Sequence, residues 1–246
     1  TEVNRKLMEL DRLKSEFLGR ISHELRTPLS IIMAYSDTLM EDSRFEIDQK
    51  TRLEFLEIID AQSKKLLTAI NDLLDLSKVE VSDTMLNITE ASINEMINLS
   101  VKLAEPPADR KGIRIVTDLD ESVPISAFDP QRIRQVCVNL LGNAIKFSNP
   151  GGRVIIASRC GEGDIVVSVT DEGPGLEPGD TGDIFENFTQ VDGGTSRSSN
   201  GLGIGLKLVK HYISLHKGRV WVDSEKGRGS TFSFSIPMAE CLSANS

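Results

Sequence analysis

The sequence predicts an α+β chain in two parts. An antiparallel pair of long helices forms a four-helix bundle with a second copy, and a layer of helices and short strands follows. Three features predict this. As far as Leu74 the apolar positions step by three or four, the period of an amphipathic helix. After Ser82-Asp83-Thr84 that regularity gives way to shorter helical and alternating segments. Between Gly173 and Gly205 lie nine of the 19 glycines of the 246-residue chain, with little periodicity, which marks a long functional loop.

The first helix carries Leu7, Leu10, Leu13, Phe17, Ile21 and Leu25 on one stripe. It is expected to run past Pro28 through Leu29, Ile32 and Leu39 and to end at Glu41-Asp42-Ser43-Arg44. The second has its stripe at Leu56, Ile59, Leu66, Ile70 and Leu73, flanked by Leu53, Leu67 and Leu74. Helices joined by so short a connection lie antiparallel, and a lone pair cannot cover both stripes, whereas a dimeric bundle does. The other solution open to one chain is to pack its stripe on its own second half.

Ile93 to Ala104 reads as a helix that stops before Pro106-Pro107, and Arg132 to Phe147 as another. Strands are expected at Val154-Ile155-Ile156, Ile165 to Val169, Val220 to Val222 and Phe232 to Ile236, with a last helix from Lys207 to Leu215. Trp221, Phe232 and Phe234 read as core. His211 and His216 read as residues of a helix face or its C-terminal turn, where a cation is favoured. The division is then 1–84, 85–240 and a tail of 241–246.

Apolar residues at 39% and charged residues at 26% describe a folded globular chain. The net charge of −9 opposes a nucleic-acid or anionic-lipid partner. Cys137, Cys160 and Cys241 are odd in number and widely spaced, which indicates neither a disulfide framework nor a zinc site. A reducing, cytoplasmic location is expected. No apolar run approaches the roughly 18 residues of a membrane span.

At about 100° per residue, His23 lies about 200° from Ile21 and about 160° from Leu25, on the face opposite the apolar stripe, and should be exposed. Pro28 cannot donate to the Glu24 carbonyl, so the helix should loosen beside His23. Glu24 can accept a hydrogen bond from one ring nitrogen and leave the other with a free lone pair, while Thr27 sits one turn below. An exposed helical histidine is otherwise a plain surface residue, but these neighbours suit a nucleophilic imidazole. The run His23-Glu24-Leu25-Arg26-Thr27-Pro28-Leu29 strongly resembles the phosphorylated-histidine box of sensor histidine kinases. The resemblance implies that His23 receives the γ-phosphoryl group of ATP, with Glu24 as base or orienting partner. It also implies that Glu24 and Thr27 match the family's Glu-x-x-Thr phosphatase pattern and position water to dephosphorylate a regulator. Thr27 reads as well as a helical residue bonded to nearby backbone, and both readings stand.

In Arg132 to Phe147 the polar residues Asn139, Asn143 and Lys146 share one face of an otherwise apolar helix. Asn143 suits a magnesium ion that keeps several waters, and Lys146 would bring positive charge to phosphates. The run Asn139-Leu140-Leu141-Gly142-Asn143-Ala144-Ile145-Lys146-Phe147 closely resembles the family's asparagine box. Asp171, at a strand end before Glu172-Gly173-Pro174-Gly175, is acceptor-only when ionised and could take the exocyclic amine of adenine. Such pairing rejects an oxo base by about 10⁴-fold at best. Asp171, Gly173 and Gly175 resemble the first glycine box. Ile184-Phe185-Glu186-Asn187-Phe188 resembles the phenylalanine box, with Asn187 where Pro is usual, and receives only a lid-packing role. Gly201, Gly203, Gly205 and Leu206 precede a helix, where bare backbone donates N–H groups to phosphates. They look like the second glycine box, and Arg197 in the preceding loop would reach the γ-phosphate or stay solvated.

All these boxes occur in the family's order over nearly the whole chain. The resemblance implies a homodimeric histidine kinase using ATP and Mg2+. Residues 1–84 would be the dimerisation and phosphotransfer domain with the end of an upstream signalling helix. Residues 85–240 would be a catalytic ATP-binding α/β sandwich, one layer of helices on a mixed sheet. The phosphoryl group would pass to an aspartate of a response-regulator receiver domain, and a sensor domain outside this chain is expected upstream. Two other readings compete with this one. An ATP-hydrolysing clamp of the gyrase, chaperone and mismatch-repair superfamily needs a general-base Glu where Asn139 stands. A silent scaffold would have lost His23, Asn143 or Asp171.

Overall fold

The computed structural model describes residues 2–41, 47–80, 85–177, 184–185 and 205–238. The chain divides into two compact units with the boundary between Val81 and Ser82.

The first unit is a pair of helices, α1 (Glu2–Met40) and α2 (Gln49–Glu80), and α1 runs through Pro28 as expected. Asp48 begins α2: its carboxylate accepts the Thr51 N–H at 3.0 Å, the Thr51 hydroxyl at 2.7 Å and the Lys50 N–H at 2.9 Å. Those bonds, the Thr51 amide first, hold its pKa below the usual carboxylate range. Between the helices Ile21 is buried, and the Tyr35 ring meets Phe55 edge-on at 4.8 Å. Apolar residues occupy a second face too, for Leu29, Met33, Leu53, Leu56, Leu67 and Ile70 are all exposed. Leu56 and Ile70 thus leave the stripe read from the sequence and join Leu53 and Leu67. A bundle helix meets more than one neighbour, so its apolar positions spread over more than one stripe.

The second unit follows the order β1 (Thr89–Ala91), α3 (Ile93–Arg110), β2 (Arg114–Leu119), β3 (Ser126–Phe128), α4 (Pro130–Phe147), β4 (Arg153–Cys160), β5 (Asp164–Asp171), α5 (Gly205–Leu215), β6 (Arg219–Glu225) and β7 (Gly229–Pro237). Five strands form a mixed sheet in the order β2-β4-β5-β7-β6, with β2 and β4 parallel and the other neighbours antiparallel. β1 and β3 pair separately. Helices α3, α4 and α5 lie side by side with α4 in the middle and cover one face of the sheet. The burial of β5 alternates strictly, with Ile165, Val167 and Val169 buried and Val166, Ser168 and Thr170 half-exposed, as expected of a sheet covered on one side. The core between the layers includes Ile97, Ile133, Leu140, Ile156, Val167 and Phe234.

Several elements differ from the sequence reading. Helix α3 continues through Pro106 and Pro107 to Arg110. Its buried stripe Ile93, Ile97, Ser100, Ala104 and Ala108 keeps its period across the prolines, while the residues whose carbonyls lose a donor, Lys102 and Leu103, are exposed to water. Strands β1, β2 and β3 have no counterpart in the sequence pattern. Two are only three residues long and β2 is a sheet edge with broken alternation, so pairing rather than apolar pattern creates them. Helix α5 begins at Gly205, two residues early. Trp221 is half-buried rather than core, with the Arg219 guanidinium 5.8 Å from its ring centre.

Candidate functional site: a nucleotide site and a phosphoacceptor helix

Asp171 is the last residue of β5, and the two-residue period puts its carboxylate on the face under the helices, where it is 4% exposed. Burial pushes its carboxyl pKa up, against hydrogen bonds from the backbone of Gly173 and Ser230. The Gly173 N–H donates to Oδ1 at 2.8 Å. Gly173 has to be glycine because a Cβ there would lie 2.6 Å from that oxygen and 2.9 Å from the Phe147 carbonyl oxygen. Gly175 adopts φ +68° and passes so close to Glu225 that a Cβ would lie 2.2 Å from its carbonyl oxygen.

Helix α4 starts with the Asp129 cap, whose Oδ1 accepts the N–H groups of Gln131 and Arg132 at 3.0 and 3.1 Å, with Pro130 at the first position. Its buried stripe holds Ile133, Val136, Leu140 and Ala144, which turns Asn139, Asn143 and Lys146 onto another face, each half-buried. Asn139 Nδ2 donates to the Gly205 carbonyl at 3.4 Å, linking α4 to the start of α5, where Gly205 and Leu206 are half-buried. Lys146 Nζ lies 5.0 Å from the centre of the exposed Phe147 ring. Phe185 is buried and edge-on to Phe232 at 6.2 Å, so its packing is against β7. The predicted residues Arg197, Gly201 and Gly203 lie outside the described residues, as does Asn187.

In the first unit His23 and Thr27 are both exposed on α1. The Thr27 hydroxyl donates to the His23 carbonyl at 3.0 Å, the local backbone bond that was one of its two readings. Glu24 belongs to α1, and its side chain lies outside the described residues.

Two contributors had no visible signal in the sequence. Lys111 Nζ donates to the carbonyls of Ile145 at 2.9 Å and Lys146 at 2.6 Å, closing the C-terminus of α4 with a cation from the turn after α3. Desolvation lowers its pKa. His216 is buried, and desolvation lowers its pKa as well, contrary to the expectation of a favoured cation at the helix end. Its Nε2 accepts the Asp129 N–H at 3.0 Å and its Nδ1 lies 2.7 Å from the Tyr212 carbonyl, so a neutral ring protonated at Nδ1 joins the end of α5 to the cap of α4. Cys137, fully buried in α4, has its thiol pushed up to about 12 by burial and is inert.

Helix α4 therefore brings the separate boxes together: its middle meets Gly205, and its last carbonyl meets Gly173 beside Asp171. The set fits a purine nucleotide. A buried acceptor suits an exocyclic amine, close-approach glycines leave bare backbone, and an amide oxygen and an ammonium stand on the adjoining helix face. Asn139 is an amide engaged with Gly205 and cannot take a proton from water, so hydrolysis has no base at that position.

Two family models match this chain: the "His Kinase A (phospho-acceptor) domain" over residues 13–81 and the "Histidine kinase-, DNA gyrase B-, and HSP90-like ATPase" over residues 128–240. The circadian input-output histidine kinase CikA of Synechococcus elongatus is 35% identical over 91% of this chain and 30% of its own length. The chain thus spans less than a third of that relative. Among solved structures, full-length ShkA in complex with AMPPNP is 30% identical with TM-score 0.68, covering 91% of this chain and 46% of the other. Histidine kinase ThkA in complex with response regulator protein TrrA is 27% identical with TM-score 0.64, covering 97% and 66%. A phosphoacceptor helical pair followed by an ATPase module is the class this architecture defines. The chain belongs to the sensor histidine kinases.

Proposed function

We propose that this chain is the kinase core of a longer protein, autophosphorylating His23 from ATP and passing the phosphoryl group to an aspartate of a response-regulator receiver domain. What carries the reading is the convergence on α4 of Asp171–Gly173, Asn139 and Gly205, in a chain that also exposes His23 on a separate helix. Asp171 accepts the adenine amine, and Gly173, Gly175, Gly201, Gly203, Gly205 and Leu206 supply backbone around the nucleotide. Lys146 and Arg197 neutralise phosphate charge. Asn143 would hold Mg2+, which would supply charge neutralisation at the phosphates. His23 attacks through an unprotonated ring nitrogen, with Glu24 orienting the ring, and Thr27 joins Glu24 in a regulator phosphatase role.

Residues 1–84 act as the dimerisation and phosphotransfer domain, residues 85–240 as the catalytic domain and 241–246 as a tail. The exposed faces of α1 and α2 support a homodimer through these helices. The AMPPNP complex of ShkA and the regulator complex of ThkA support the nucleotide and the partner. No helix among the described residues is long and apolar enough to cross a membrane; the core works in the cytoplasm, coupled to an upstream sensor.

The test is incubation with γ-labelled ATP and Mg2+, beside His23→Gln. Acid-labile, alkali-stable label is expected in the parent and none in the variant, with equal nucleotide binding by calorimetry. Label that persists in His23→Gln refutes the acceptor assignment.

A further inference from the structure

We propose that Ser224 is a positioning residue of the nucleotide site, tethering the backbone that follows Asp171 in the path that receives adenine; this rests on the assignment of Asp171 above. Ser224 lies on β6 opposite Ser230 of β7. Its hydroxyl accepts the Leu176 N–H at 2.8 Å, donates to the Gly229 carbonyl at 3.0 Å, and stands 2.9 Å from the Ser230 hydroxyl, which supplies the second donor. One donor and two lone pairs are all that a serine hydroxyl has, so the three bonds saturate it.

The segment 172–177 has no regular structure, and it contains Gly173 and Gly175. Such backbone has much freedom to lose when a ligand orders it. Arg153 and Asn149 hold its first residue, Glu172, and beyond that its ties run to the hairpin of β6 and β7. The Gly227 N–H donates to the Pro174 carbonyl at 2.6 Å, Gly175 abuts Glu225, and Lys226 pairs with Glu177. The first is backbone to backbone. The ion pair has side-chain exposures of 70% and 53% and is screened by water. Ser224 is a partly buried, neutral side-chain tie that one substitution removes, together with its two bonds inside the hairpin.

The same hairpin also braces Asp171. Ser230 is its partner across the ladder, and Gly229, at φ +95°, approaches so closely that a Cβ would lie 2.0 Å from the Asp171 carbonyl oxygen. Ser224 thus joins the turn that braces the carboxylate-bearing residue to the loop whose Gly173 N–H orients that carboxylate. Without the hydroxyl the Leu176 amide loses its acceptor and nucleotide binding has to order the loop. Affinity then falls while the step at His23 is untouched.

In the intact chain, Ser224→Ala should raise the Kd for a non-hydrolysable ATP analogue with Mg2+ by roughly three- to tenfold. The KM for ATP should rise alike, with the rate at saturating ATP within about twofold of the parent. Ser224→Thr keeps the hydroxyl and should restore both constants. Thr231→Val removes another hydroxyl contact of the same sheet, Thr170 to Thr231 at 3.0 Å, and should lower Tm without moving Kd. An unmoved Kd in Ser224→Ala, or an equal rise in Thr231→Val, overturns the tether. Asp171→Asn measured in parallel separates the two readings. If it also leaves affinity unchanged, the adenine-site assignment fails and the tether with it; if it weakens binding while Ser224→Ala does not, only the tether fails.

Discussion

Within the α/β unit, Ile97, Ile133, Cys137, Leu141, Ile156 and Phe234 have no exposure at all, whereas Ile21 is the one large apolar side chain of the helical pair that is buried among its described residues. In the helical pair Leu67 is 59% exposed and Met33 56%. One unit completes its core within the chain, and the other leaves apolar residues exposed on the helices through which the homodimer is proposed. The chemistry divides along the same line. Asp171 is enclosed, as suits the base-recognition role proposed for a group whose charge is costly to bury. His23 stands in the open, as suits the phosphoacceptor role proposed for it.

The strongest way to break that contrast is at the exposed helical face. Leu56→Glu combined with Leu67→Glu should convert the dimer to monomer in sedimentation and abolish labelling of His23, since each buried leucine lost from an interface is worth about 1.5–3 kcal/mol. Nucleotide binding should survive. The matched change Leu103→Glu on α3, at a side chain 60% exposed, should alter neither property. A double variant that stays dimeric removes this face from the interface.

A smaller effect is expected inside the closed unit. Asp171→Asn puts amide donors opposite the adenine amine and should weaken nucleotide binding by about ten- to a hundredfold, the range for a lost charged hydrogen bond. Because burial raises the Asp171 pKa, the ionised acceptor is lost at a higher pH than for an ordinary carboxylate. Affinity should therefore fall as pH drops through that raised value, and the asparagine variant should lack this dependence. For folding the sign is opposite: the native state holds the proton more tightly, so this group's contribution to stability declines between the unfolded and the raised native pKa and is level above. Calorimetric titration across pH reads the first effect, and an unshifted profile counts against the role.

The smallest effect concerns how the closed unit caps its own helix. Lys111→Met removes both bonds to the last carbonyls of α4 and should cost about 0.5–1 kcal/mol, read as a lowered Tm of the α/β unit, with Lys111→Arg restoring part of it. An unchanged Tm would show that solvent replaces the lysine without loss.

The sequence revealed the long elements best. Stripes such as Leu140, Leu141, Ala144 and Ile145, or Ile165, Val167 and Val169, announce their period and their buried face without help from the rest of the chain. The edge strand β6 was legible from Val220 and Val222, whereas β2 and the short strands were not, because β1 and β3 exist by pairing with each other and show little apolar pattern. The end of α3 misled for a related reason. Proline rules are local, and whether the freed carbonyls face water depends on which side the sheet covers. Among site residues, local chemistry exposed His23 at a helix turn ahead of a proline and Asp171 at a strand end. Lys111 was hidden because its partners are 34 and 35 positions away, and His216 because it bonds a backbone amide 87 positions away.

Local periodicity and the order of short polar motifs are properties of neighbouring residues, so the sequence by itself determined the helical pair, the α/β layer, the kinase family and the candidate residues of both sites. Tertiary structure alone decided that Asp171 is enclosed, that Gly173 has room for nothing larger than hydrogen, that His216 bridges as a neutral ring, and that Ser224 ties the loop beyond the carboxylate. Each of these depends on what a distant strand or helix places within a few ångströms, and burial, close approach and hydrogen-bond partnership are set by that distance rather than by separation along the chain.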